Sequence, residues 1–210
     1  MNIDTLNKKI RALAVGDNQE LITFINNNVK NKVSHKEKIE IYTIGAMYAS
    51  SSGCFENLKT FINEDSEILI QKEQGILRMT VDIESFDKFK EIVNFLVINY
   101  KDKLDFNARE NSWIKECIKN ECLNKIEYII ETGINLEIND NIIKTLVRNK
   151  NKEIFDYFIF NLEIPINDNL ENWLKENNHK EELQIIKKRN LFNNLDKDLG
   201  NKKNQKMRKI

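Results

Sequence analysis

Apolar residues in this chain recur at spacings of three and four, in short stretches, and that period decides what the chain can fold into. Ile126, Ile129, Ile130 and Ile134 fall on one helical face with Leu123 behind them. Ile154, Phe155, Phe158 and Ile159 repeat the arrangement, as do Ile92, Val93, Leu96 and Val97. Polar residues fill the positions between, which is the mark of amphipathic helices, and each pattern stops after a few turns. Turn chemistry points the same way. Sandwiches and barrels need a turn about every 8 to 12 residues, usually made with Gly or Pro. This chain has one proline, Pro165, and six glycines. The expected class is all-α.

The patterns themselves repeat. Segments of the form polar or acidic residue, apolar pair, spacer, apolar pair return about every 30 to 35 residues, a period that belongs to repeat architectures. They cover Gln19 to Ile25, Glu56 to Ile62, Lys90 to Val97, Asn124 to Ile130 and Lys152 to Ile159, with a weaker relative at Glu182 to Ile186. A shorter helical segment precedes each: Ile10 to Val15, Tyr42 to Ser50, Ile76 to Ile83, Trp113 to Ile118, Ile142 to Val147 and Trp173 to Glu176. One such pair cannot bury its apolar side alone. Stacked in a row, several make a continuous core.

Ala49-Ser50-Ser51-Ser52-Gly53-Cys54-Phe55-Glu56-Asn57-Leu58-Lys59 follows the middle of the ankyrin repeat, and Val15-Gly16-Asp17 is similar to its helix link. Lys125 to Leu136 resembles the family's second helix with a Gly-ended exit, at Gly133. Leu104 to Arg109 and Ile164 to Asn167 are similar to its Ala-Asp-x-Asn lead into a finger. The chain departs from the family at the helix start, where Thr-Pro-Leu-His gives way to Ser112-Trp113-Ile114-Lys115 and Asn141-Ile142-Ile143-Lys144. Extra residues are expected around Asn99 to Lys103. The resemblance spans residues 6 to 190. It implies an ankyrin-like solenoid of five to six stacked helix pairs over residues 1–192; the apolar pattern fades after Leu191, and 193–210 is expected to be a basic, disordered tail.

Composition bounds the function. Lys plus Arg and Asp plus Glu both number 33, so the chain lacks the net positive charge that wrapping a nucleic-acid backbone calls for. The tail is the exception, with Lys202, Lys203, Lys206, Arg208 and Lys209 and no acid after Asn201. Three cysteines, Cys54, Cys117 and Cys122, make no disulfide framework. No basic and apolar leader opens the chain, and no apolar run approaches the roughly 20 residues of a membrane span. The expected compartment is the cytoplasm, with the basic tail able to serve nuclear entry.

No metal site is expected: Cys117 and Cys122 sit on one predicted helix but point to different sides, and His35 and His179 lack ligand-spaced neighbours. No glycine-rich phosphate loop or nucleophile elbow is present, so no cofactor and no catalysis are expected. Trp113 and Trp173 each open a predicted first helix, either as packing caps or as aromatic anchors of a binding face.

The resemblance implies a non-catalytic protein-interaction module, an adaptor or inhibitor, that holds a protein partner on its concave face. The fingers and first helices would present Arg109, Glu110, Asn111, Trp113 and Glu116, then Asp140, Asn141 and Thr145. A monomer with no membrane association is the favoured state. The alternative is a nucleic-acid-associated protein that uses the tail and Lys187-Lys188-Arg189.

Overall fold

The computed structural model describes residues 2–72, 74–162, 164 and 166–207, with side chains described through Phe192 and again at Leu195. Among the described residues there are twelve α-helices, two short 3-10 segments and no strand. The helices come as six consecutive pairs: α1 (Ile3–Ala14) with α2 (Asn18–Asn28), α3 (His35–Ser51) with α4 (Phe55–Glu64), and α5 (Gly75–Met79) with α6 (Phe86–Tyr100). Then follow α7 (Ala108–Lys119) with α8 (Leu123–Glu131), α9 (Asp140–Asn149) with α10 (Lys152–Asn161), and α11 (Asp168–Glu176) with α12 (Lys180–Met207). No described helix is long and apolar enough to cross a membrane.

The chain divides into two compact units, Met1–Leu136 and Glu137–Ile210. The division lies inside the stretch 1–192, and α12 runs on through residue 193. Within the first unit packing follows chain order on two levels. The first helices α1, α3, α5 and α7 touch in succession, and so do the second helices α2, α4, α6 and α8. Within the second unit α9 packs on α10, and both α10 and α11 pack on α12.

Side-chain chemistry sets the helix limits. Asp17, Ser85, Asn139, Asn151 and Asn167 each accept backbone N–H groups at a helix start, satisfying donors that have no partner inside the helix. Ser34 opens α3 with a reciprocal capping box to Glu37. That box starts α3 well before Tyr42, where the periodicity alone began it.

One link geometry recurs with different residues. Gly53, Glu121 and Asn178 all take left-handed conformations just past a first helix, with φ of 66°, 56° and 64°. The next residue's N–H reaches back to a carbonyl in the helix's last turn: Cys54 to Ala49, Cys122 to Cys117 and His179 to Leu174, at 2.8, 2.9 and 2.8 Å. This is the Schellman ending. Gly133 makes the expected left-handed exit from α8, with φ of 69°.

Two regions depart from the sequence expectation. The third first helix is not a continuous Ile76–Ile83 element: α5 lasts five residues and a 3-10 turn, Thr80–Asp82, completes it. Ahead of it a 3-10 segment, Ser66–Ile70, inserts Ile68 and Leu69 into the core against α3 and α4. The extra residues expected near Asn99 are partly taken up as the final turn of α6.

Candidate interaction face

The first helices α7 and α9 each bury one side and leave the other open, whereas Ile41 to Ala46 of α3 are buried in succession. On α9 Ile142, Ile143, Leu146 and Val147 are buried, while Asn141, Lys144, Thr145 and Arg148 share the opposite face at i, i+3, i+4, i+7 spacing. On α7 Trp113, Ile114, Cys117 and Ile118 are buried and Ser112, Lys115, Glu116 and Lys119 form the open face. Left-handed residues after four first helices mark equivalent positions, Lys150 without the back-bond of the other three. Tyr48, Glu116, Thr145 and Trp173 each stand five residues before the left-handed link residues Gly53, Glu121, Lys150 and Asn178. None of the four is fully buried.

The candidate residues named from the sequence are placed as follows. Glu116 pairs with Lys119 at 2.8 Å, and Glu110 lies 3.8 Å from Lys115. Arg109 and Glu110 are exposed. With Asn111 they make a turn of left-handed backbone, φ of 51°, 54° and 65°, before the right-handed part of α7 begins. Such a turn costs non-glycine residues roughly 1–2 kcal/mol each. Asp140 accepts from Asn167 Nδ2 at 2.9 Å, and Thr145 Oγ1 donates to the Asn141 carbonyl at 2.7 Å.

Asn111 and Trp113 are not on the open face. Their relative exposures are 1% and 2%, and the Trp113 indole N–H donates to Thr80 Oγ1 at 3.0 Å while its ring meets Phe106. The packing reading of Trp113 therefore describes its place in the fold. Trp113 is the second residue of the right-handed part of α7, at its start as expected, whereas Trp173 lies in the middle of α11.

Trp173 is half-buried and stands among cations. The Arg148 guanidinium carbon lies 5.0 Å from its ring centroid and Lys144 Nζ 5.6 Å, both reaching across from α9. The His179 ring stacks on it at 5.7 Å. Two acids of this unit are engaged elsewhere: Glu171 holds both Lys175 and Lys187 at 2.6 Å, which keeps its carboxyl below the usual range, and Glu182 lies 3.8 Å from His179. Among the described residues Lys144 and Arg148 meet no carboxylate in an ion pair. The first unit carries a related contact, Arg11 over Tyr48 at 5.4 Å. Lys144 and Arg148 escaped the sequence reading because cations are abundant; their i, i+4 spacing opposite a buried apolar set was the available signal.

Cys117 is buried in α7, and burial pushes its thiol well above the ordinary value. Cys122 does not share that helix; it forms the start of α8, with its thiol donating to the Asn120 carbonyl. No cluster of His, Cys, Asp or Glu with metal-holding geometry occurs among the described residues. In the basic run, Lys187 binds Glu171, Lys188 lies over Phe192, and Arg189 donates to the Phe160 carbonyl at 3.1 Å. The tail side chains from Asn201 onward lie outside the described residues. In comparisons with known proteins, no family model, curated protein or solved structure matches this chain.

Proposed function

We propose that this chain is a non-catalytic protein-interaction module, an ankyrin-like array of helix pairs whose open first-helix faces hold a protein partner. The observation that carries the reading is the packing order of the first unit, first helix on first helix and second on second. Units stacked that way bury a shared core between neighbours and leave a row of first-helix faces for binding. The left-handed links add to it, since they give the second, fourth and sixth pairs one geometry without a shared residue. On this reading the protein acts as an adaptor or as an inhibitor that covers a partner's working surface, inside the cell.

Affinity capture from the native cell tests it. Wild type is compared with Arg109→Glu/Glu110→Lys and Thr145→Glu on the first-helix side, and with Ile98→Glu on α6, where Ile98 is 77% exposed. Loss of a captured protein in the first two, with retention in the third, is the expected result. Unchanged capture in both first-helix variants would sink the reading.

A further inference from the structure

We infer that Lys144, Arg148 and Trp173 form a docking site for an acidic segment of that partner; the inference rests on the interaction-module reading and deepens it. A lone surface cation says little, because surface lysines and arginines are common and usually solvated. Three observations set this pair apart. Lys144 and Arg148 are four apart on the open face of α9, so their charges project to the same side. Both sit within 6 Å of the Trp173 ring, one turn of stacking that holds flexible side chains in place before any ligand arrives. And among the described residues neither cation meets a carboxylate in an ion pair, while Glu171 is held by Lys175 and Lys187.

An arginine stacked on an aromatic face keeps the edge of its guanidinium free, and that edge matches a carboxylate in a two-point hydrogen bond. Lys144 adds a second point charge for a neighbouring acid. The site therefore suits a segment with closely spaced Glu or Asp side chains. It suits a phosphate backbone poorly. Nucleic-acid grooves run a stripe of cations along the strand, with stacking platforms for bases. Here two cations and His179 already occupy the Trp173 surroundings, and the next basic cluster, Lys187 to Arg189, is engaged in contacts of its own.

Fluorescence anisotropy of the full-length chain tests the site with three labelled probes: a short Glu-Ser peptide, its Gln-Ser counterpart and a single-stranded DNA oligonucleotide. The Glu-Ser peptide is expected to bind saturably and the Gln-Ser peptide not at all. Lys144→Glu/Arg148→Glu is expected to weaken binding by about tenfold, the effect of losing two exposed charge-assisted contacts. Trp173→Leu keeps both charges but removes the stack, and a loss of about threefold is expected from the lost preorganisation. Circular dichroism melts of the same variants report whether folding is intact; Lys144→Gln/Arg148→Gln serves as a gentler pair. Equal binding of both peptides, an unaffected double variant, no binding of the Glu-Ser peptide, or tighter binding of the DNA with the same dependence on Lys144 and Arg148 would each overturn the inference. Failure here with first-helix-dependent capture intact removes the acidic segment alone; failure of capture removes the broader reading.

Discussion

Asn57 and Lys125 occupy the same position, third in a second helix, and each donates to carbonyls that end the first helix of the preceding pair. Asn57 Nδ2 reaches the Leu13, Ala14 and Gly16 carbonyls at 3.3, 3.0 and 2.9 Å. Lys125 Nζ reaches the Val81 and Ile83 carbonyls, both at 2.6 Å. The carbonyls at a helix end have no partner within the helix, and a cation is favoured there by the helix dipole. A neighbour that supplies the missing donors therefore joins two pairs and closes a helix with one side chain.

These joints predict large, local stability losses. Asn57 is 2% exposed and Lys125 6%. Asn57→Leu and Lys125→Met leave buried carbonyls without donors and should each cost about 1–3 kcal/mol in urea unfolding. Lys125→Ala should cost more than Lys125→Met, because it also removes the buried aliphatic stem that carries the ammonium.

The links predict gains. Glu121 and Asn178 stand in left-handed backbone where glycine carries no penalty. Glu121→Gly should stabilise the chain by up to about 1 kcal/mol and Asn178→Gly by less, since Asn tolerates that conformation better. Gly53→Ala should lose stability, because the chain there has φ of 66° and an added Cβ would lie 2.9 Å from Lys88 Cδ. Thermal melts followed by circular dichroism read all three.

Gly45 makes a steric prediction of a different kind. It lies in the middle of α3, and a Cβ there would sit 2.3 Å from the Phe61 ring and 2.9 Å from Ile10. Gly45→Ala, a change that ordinarily favours a helix, should instead cost about 1–3 kcal/mol through overpacking. Adding Phe61→Leu should recover part of that loss relative to Phe61→Leu alone, a coupling that a double-mutant cycle measures.

Tyr42 predicts the alkaline limb of stability. The residue is 1% exposed, its hydroxyl has no hydrogen-bond partner among the described residues, and burial, helped by Glu64 and Asp65, pushes its phenol up to about 12 from the ordinary 10.0. A folded value above the unfolded one contributes stability that is complete below pH 10 and is lost as pH rises towards 12. Tyr42→Phe should flatten unfolding free energy across that window. At neutral pH it should be neutral or stabilising, since an unmet buried hydroxyl is removed.

The helix pairs were legible in the sequence because each rests on local periodicity, and all six predicted pairs have a helical counterpart in the fold. Features that depend on distant partners were not. The carbonyls bound by Asn57 and Lys125 lie 41 to 44 residues away along the chain, and neither residue breaks the apolar pattern. The 3-10 segment at Ser66–Ile70 is too short to show a period. The links hid for another reason: one backbone conformation is filled by Gly, Glu and Asn, so the recurrence is geometric and leaves little trace in residue identity. Trp113 and Trp173 look alike in sequence. Thr80 supplies a buried partner for one indole, while the other meets cations at a surface.

Photo-crosslinking in the native cell tests the central claim most directly. A benzoylphenylalanine is placed at Glu116 or Thr145 on the first-helix faces, or at Ile98 or Phe160, exposed positions on α6 and α10. The account predicts discrete adducts with a protein partner from Glu116 or Thr145 and none from Ile98 or Phe160. Adducts from Ile98 and Phe160 alone, or none from any of the four, would contradict it.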